Sequence, residues 1–211
     1  MRKLVFFKSL LFLLLISFSL CSVAQSKSNK GKEFWLAFMS HIESTNAGMS
    51  LYITSDSNAI GTVSIPGQSW STSYSVTANS LTIVNIPVSS AYISCSDCKQ
   101  AKGVKIVSDK DVVVYAHHYE GDKSDATLVL PTRTQGKDYY LASWQENSPN
   151  IGGGSGRNVF ALVGIKDDTK INITPTTNLL SASGGTLIAN TLYQITLDEG
   201  EVYQAIGTSS T

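Results

Sequence analysis

Charge is what this sequence has little of. Acidic and basic residues fill 15% of its 211 positions, and the sixteen of each sign cancel. An ordinary soluble domain carries about 25%. With no basic surplus there is nothing to draw a phosphate backbone, which argues against a dedicated nucleic-acid binder. A hydrophobic share of 42% with zero net charge also excludes a disordered tail. Three cysteines are too few for a disulfide-rich miniprotein. No window shows an apolar stripe at helical spacing over several turns. What is plentiful is the small hydroxyl: serine and threonine occupy 48 positions.

The N-terminus has the three-part layout of an export signal. Arg2, Lys3 and Lys8 supply the positive start, Leu10 to Leu20 the apolar stretch, and Ser22-Val23-Ala24 the small residues before Gln25. The apolar run is about half of the ~20 residues that a spanning helix needs, and no later segment comes closer. A signal peptide over 1–24, cleaved between Ala24 and Gln25, is therefore the expectation. A lipoprotein signal using Cys21 is disfavoured because Leu20 stands where a small residue is wanted. Cleavage would leave 13 basic and 16 acidic residues, a net charge of −3, and only Cys95 and Cys98. A secreted or cell-surface location follows, with no transmembrane segment after signal removal.

From Phe34 onward the chain is a series of short runs rich in Val, Ile, Thr and Tyr, bounded by turn residues. Read locally, six hairpins follow. They join 51–54 to 62–65, 74–77 to 81–86, 104–107 to 112–119, 127–130 to 139–144, 160–165 to 170–174 and 193–197 to 201–206. The third turns at Ser108-Asp-Lys-Asp111. The fold class is all-β, antiparallel hairpins forming a β-sandwich-like repeat module, with β-propeller blades as the alternative. A faint internal repeat supports the word repeat. Val63-Ser-Ile65 is similar to Ile171-Asn-Ile173, and Tyr74-Ser-Val-Thr77 to Tyr193-Gln-Ile-Thr196. The organisation expected is a polar leader over 25–33, a first β unit over 34–145, a Gly-rich loop over 146–157 and a second, incomplete unit over 158–211.

Few residues form a constellation that carries chemistry. Cys95-Ser-Asp-Cys98 is the sharpest: thiols at this spacing can close a short disulfide, shuttle electrons, or give half of a zinc site. No second pair of ligands exists for zinc, the setting is a strand rather than a strand-to-helix turn, and export favours oxidation. A Cys95–Cys98 disulfide is the expectation. His117 and His118 are neighbours on a strand and so point to opposite faces. His117 then sides with Tyr119 and His118 with Glu120, the aromatic pair facing in and the polar pair out. Asp56, Asp109, Asp111, Asp122, Asp125, Asp167 and Asp168 sit at turns, beside Ser124 and Thr127 in one case. Capping of backbone groups explains them better than calcium. Gly152 to Gly156 lacks the Gly-Lys-[Ser/Thr] ending of a phosphate loop, and Arg157 breaks a G-x-S-x-G elbow around Ser155. Asn172-Ile-Thr174 fits a glycosylation acceptor in a eukaryotic secretory route. No spacing singles out a catalytic triad or carboxylate pair. No catalytic residue, metal or cofactor is expected.

Ser108-Asp-Lys-Asp-Val-Val-Val-Tyr-Ala116 and Ser124-Asp-Ala-Thr-Leu-Val-Leu-Pro131 carry a resemblance, joined by several other stretches. These are Gly31-Lys-Glu-Phe-Trp-Leu-Ala-Phe38, Leu51 to Asp56 with Gly61 to Pro66, Gly136 to Tyr140, Asp167 to Pro175, and Leu197 to Tyr203. The chain resembles the N-terminal domain of the IgG Fc-binding protein family, in particular its bacterial secreted or surface relatives, of which it looks like an N-terminal fragment. The resemblance implies a large multidomain exported protein and no catalytic residues. It does not carry antibody binding across to the bacterial members, and Cys95-Ser-Asp-Cys98 is no motif of the family.

The function expected is a non-enzymatic binding or adhesion module for an extracellular protein or glycan, with Trp70, Tyr92 and Trp144 as candidate contacts or core. A structural spacer in a larger envelope protein is the alternative, and a secreted hydrolase comes third.

Overall fold

A computed structural model of the chain describes residues 28–40, 48–120, 123–142 and 157–208. The signal segment with its cleavage site at Ala24 and Gln25, the Gly-rich stretch 152–156, Asp122 and Trp144 lie outside the described residues.

The fold is all-β, antiparallel and sandwich-like. Its axis is β7, a strand of seventeen residues, Val104–Glu120. Its C-terminal half pairs with β2 (Gly48–Thr54) on one side and β8 (Lys123–Val129) on the other. Its N-terminal half pairs with β3 (Ala59–Ile65) and β1 (Gly31–Leu36). Outside these, β4 (Trp70–Val76) pairs with β3, and β5 (Leu81–Asn85) with β2. Two four-stranded layers, β4-β3-β7-β1 and β5-β2-β7-β8, thus share β7 and continue into one another through corners. Their inner faces enclose Phe34, Leu51, Ile53, Val63, Ile65, Ile106, Val112 and Val114, all fully buried.

The fold class read from the sequence holds, but the local pairings do not. The stretch Ser108-Asp-Lys-Asp111 does not reverse the chain. It is a bulge within β7: Gly31 faces Val112 and Glu33 faces Val107, so four residues oppose one. Asp109 Oδ1 accepts the Ile60 N–H at 2.8 Å, and the Asp111 carbonyl accepts the Ser55 hydroxyl at 2.8 Å. Likewise Ser55-Asp-Ser-Asn58 and Thr77 to Ser80 are corners, not hairpin turns. β2 runs on into β3, β4 into β5, and the two bent strands form one folded hairpin whose tip is the 3-10 turn Pro66–Gln68. Asn58 Oδ1 caps the Ala78 N–H at 2.9 Å, and Asn79 N–H bonds the Ser55 carbonyl at 2.8 Å, which fixes the two corners side by side. The partner of 127–130 is β7, not 139–144; of the latter, residues 139–142 are described and form no strand.

The C-terminal part follows the same pairing plan. β9 (Val159–Val163) runs through a corner into β10 (Thr169–Ile173), and β13 (Tyr193–Leu197) through another into β14 (Val202–Ile206). β10 pairs with β13 and β9 with β14, so the expected hairpins 160–174 and 193–206 are again two bent strands. Corner carboxylates cap backbone here too. Asp198 Oδ1 accepts from Asp168 N and Asp167 Oδ1 from Glu199 N, both at 3.0 Å. Between β10 and β13 lies a small hairpin, β11 (Leu179–Leu180) and β12 (Thr186–Leu187). Leu179, Leu197, Tyr203 and Ala205 form a second, smaller core.

A seam joins the two parts. The short helix α1 (Val88–Ala91) leads to the Cys95–Cys98 loop and then to β6 (Cys98–Gln100), which pairs with β14. At the seam Gln204 is fully buried. Its Oε1 accepts from Ser40 N at 2.8 Å, and its Nε2 donates to Ser40 Oγ at 2.7 Å and to the Cys95 carbonyl. Nearby, Gly103 N–H bonds the Gly200 carbonyl at 2.9 Å, and Lys105 lies 4.9 Å over the Trp35 ring while pairing with Glu199 at 2.7 Å. A Cβ on Gly103 would stand 2.8 Å from the Gly200 oxygen, so close backbone approach requires glycine there.

Removing the Gln204 amide strands a buried N–H and a buried carbonyl. Gln204→Leu is expected to lower the unfolding free energy by about 3 kcal/mol, read as a lower midpoint in urea. Thr208→Val, at the chain's far end, is expected to leave the midpoint within about 0.5 kcal/mol.

Candidate functional site

Alternation along β7 sorts its residues onto two faces. Val112, Val114, Ala116 and His118 face the core; Tyr115, His117 and Tyr119 face out, and Val113, on their side by alternation, is buried. The two histidines do point to opposite faces, but the expected orientation is inverted. His118 is the inward one, edge-on to Phe38 at 5.8 Å and Tyr92 at 6.2 Å. His117 lies outward, stacked on Tyr119 at 4.8 Å with 25° between planes, and 5.8 Å from Tyr52. The aromatic side faces out because the run Val112 to Ala116 supplies small branched groups that fill the core from the other side.

The neighbouring strands extend this surface. Tyr52 on β2 is paired with Tyr115 and with Ile83 of β5, and Tyr115 with Leu128 of β8. A row Ile83–Tyr52–Tyr115–Leu128 therefore crosses four strands. Tyr115 and Tyr119 are 43% and 42% exposed, Leu81 and Ile83 55% and 54%. Tyr119 stays in place because its strand partner is Gly48: a Cβ there would meet the ring at 2.3 Å. No outward position on these strands from Leu81 through Tyr52 and Tyr115 to Leu128 is charged. An uncharged surface rich in tyrosine is the composition of a protein-contact core rather than of a solvated face.

The other sequence candidates fall elsewhere. Tyr92 is 7% exposed and belongs to the core, and Trp70 is half-buried against it. Asp125 lies on β8, exposed, opposite His118. Asn172 is exposed and its Oδ1 accepts from Gln194 at 3.1 Å. Among the described residues no three His, Cys, Asp or Glu side chains gather into a metal site.

Cys95 and Cys98 stand as a bridged pair with Cα atoms 6.0 Å apart. What sequence reasoning missed is the work of the two residues between them. Ser96 Oγ donates to the Leu180 carbonyl at 2.8 Å and accepts from Ile206 N at 2.9 Å. Asp97 sits at a φ of 50° and receives Tyr203 OH at 3.0 Å, Ser181 Oγ at 3.1 Å and Ala182 N at 3.2 Å. The loop is a tongue from the first layer set that plugs into β11 and β14. The Ser-Asp dipeptide carries no local signal of this role, because its hydrogen-bond partners come from residues 84 to 110 positions away. Burial pushes the Tyr203 phenol well above its ordinary value near 10, reinforced by its hydrogen bond to the Asp97 carboxylate and by that negative charge.

The geometry defines an antiparallel β-sandwich module with an uncharged aromatic face and a tongue-and-seam junction. Over residues 125–211, from β8 through β14, the chain matches the family model described as IgGFc binding protein. That span holds the stretches 125–131, 136–140, 167–175 and 197–203 on which part of the resemblance rested. The stretches before 125 lie outside the match. No curated protein and no solved structure matches the chain. The family makes a binding module the class supported. No helix among the described residues is long and apolar enough to cross a membrane.

Two outcomes test the tongue. A phenol held neutral in the fold stabilises it below the unfolded value near 10 and loses that contribution as pH rises beyond it. Stability is therefore expected to fall on alkaline titration above about pH 10, and Tyr203→Phe to flatten that fall while lowering stability at pH 7 by about 1 kcal/mol. Alkylation after reduction is expected to label Cys95 and Cys98 together, and the reduced chain to exchange the amides of β6 faster than those of β7 in hydrogen-exchange measurements.

Proposed function

We propose that the chain is a secreted or cell-surface, non-enzymatic binding module whose ligand is an extracellular protein held on the face Ile83–Tyr52–Tyr115–Leu128. The observation that carries this reading is the exposure of Tyr115 and Tyr119 beside the stacked His117 on a surface with no charge. Tyrosine offers a large contact area with two torsions to freeze, which is why it dominates contact hot spots. The family description supports a protein ligand over a small molecule, and IgG Fc is the first probe it names. The export signal read over 1–24 supports the location.

A structural spacer is the second reading, favoured by the seam at Gln204, which locks the two parts as a strut would require.

Biolayer interferometry of the exported chain against immobilised Fc and a panel of extracellular proteins tests the choice. Tyr115→Ala with Tyr119→Ala is expected to weaken any saturable partner by roughly thirtyfold, from about 2 kcal/mol at a hot spot, with the thermal midpoint nearly unchanged. Binding that survives both substitutions would move the ligand off this face. A panel with no saturable partner would favour the spacer.

A further inference from the structure

The bent strand β4–β5 forms the outer edge of both layers. β4 and β5 end the strand order, and among the described residues nothing pairs with their far sides. Which main-chain groups point outward follows from three bonds. Ile60 and Ser75 are cross-strand partners, yet Ile60 N–H bonds Asp109 and the Ser75 carbonyl accepts Thr82 Oγ1 at 2.6 Å. They form a non-hydrogen-bonded pair, and alternation then sends the N–H and C=O of Ser71, Ser73 and Ser75 away from β3. Ile86 N–H bonds the Met49 carbonyl at 2.9 Å, so on β5 the outward groups are those of Leu81, Ile83 and Asn85.

These two open edges face each other across a groove of about 510 Å³. It narrows at the corner, where Thr82 reaches Ser75, and widens toward Trp70 and Asn85. Exposed edges are normally blunted by charge, proline or a bulge. Residues 70–85 contain no charged residue and no proline, and the registers of β3 with β4 and of β2 with β5 run without a break. An edge left unguarded on both walls of one groove is built to pair.

We propose that this groove is a strand-addition site that takes an extended, uncharged polypeptide segment of a partner protein, and that it meets the aromatic face only at Ile83. The main-chain N–H and C=O groups on its walls repeat at strand spacing and match a peptide backbone, with the hydroxyls of Ser71, Ser73 and Ser75 and the Asn85 amide beside them. Trp70, half-buried on the core, lines one end of the groove. From Ser71 to Ser75 the edge pairs with about five residues, roughly 17 Å at ~3.3 Å each.

The test titrates the full exported chain with the fluorescent peptide acetyl-TVSVTVS-amide. Saturable binding is expected, weakened at least tenfold when alternate residues along one peptide edge are N-methylated. Ser73→Pro removes an N–H that faces the groove and that the β3–β4 ladder does not use, a place where an edge strand tolerates proline. It is expected to abolish binding while keeping the far-ultraviolet circular dichroism. Should that variant fail to fold, the N-methylated peptides alone decide. The Tyr115→Ala, Tyr119→Ala chain is expected to bind the peptide normally, which separates this site from the aromatic face. The proposal is overturned by absence of saturable peptide binding, by binding that ignores N-methylation, by binding of oligosaccharide probes instead of the peptide, or by a dimer in sedimentation that Ser73→Pro dissolves.

Discussion

Everything in the larger part of this molecule hangs on one uninterrupted strand that changes layer. β7 supplies partners to β1, β2, β3 and β8, and so belongs to both layers of the sandwich. A strand can serve two layers only if it bends, and it bends at Ser108 to Asp111 because four residues there oppose one on β1. At the bend Asp109 accepts the Ile60 N–H and the Asp111 carbonyl accepts the Ser55 hydroxyl, while the Ser108 hydroxyl is buried without a hydrogen-bond partner. Once β7 is folded over, β2–β3 and β4–β5 must fold with it, and the core closes between them.

The same device, a hairpin of two bent strands with carboxylate- and amide-capped corners, appears on both sides of the seam. What joins the sides is polar rather than apolar. Gln204 uses both atoms of its amide, Ser96 its hydroxyl as donor and acceptor, and Asp97 both carboxylate oxygens; Gln204 is fully buried, and Ser96 and Asp97 are half-buried. Such a junction is specific in register: a shift of β14 against β6 by one residue would leave the Gln204 amide and the Ser96 hydroxyl without partners, at a cost of about 1–3 kcal/mol for each stranded group. This is the physical content of the tongue, whose contacts to β11 and β14 are made by the two residues between the cysteines.

Two surfaces remain unspent by folding, and they differ in kind. The β5-β2-β7-β8 face offers side chains, aromatic and uncharged. The β4–β5 groove offers main chain. The groove lies on residues 70–85, a stretch without charge, and both surfaces involve β5, which on the proposals above gives one molecule two ways of holding a protein partner.

The sequence by itself determined the all-β class, the short strands and which residues bend the chain, because alternation and turn residues act within a few positions. It determined that neighbouring histidines separate, since a pleat allows nothing else. Tertiary structure decided the rest. A Ser-Asp-Lys-Asp segment is equally suited to a reversal, a corner or a bulge, and only β1 and β3 packing on both flanks kept it extended. Which face of β7 turned inward was set by the volume of Val112, Val114 and Ala116 against Phe34 and Ile53, a competition between distant elements. Asp97 and Gln204 found their roles from partners 84 to 164 positions away, and no local pattern encodes contacts of that range.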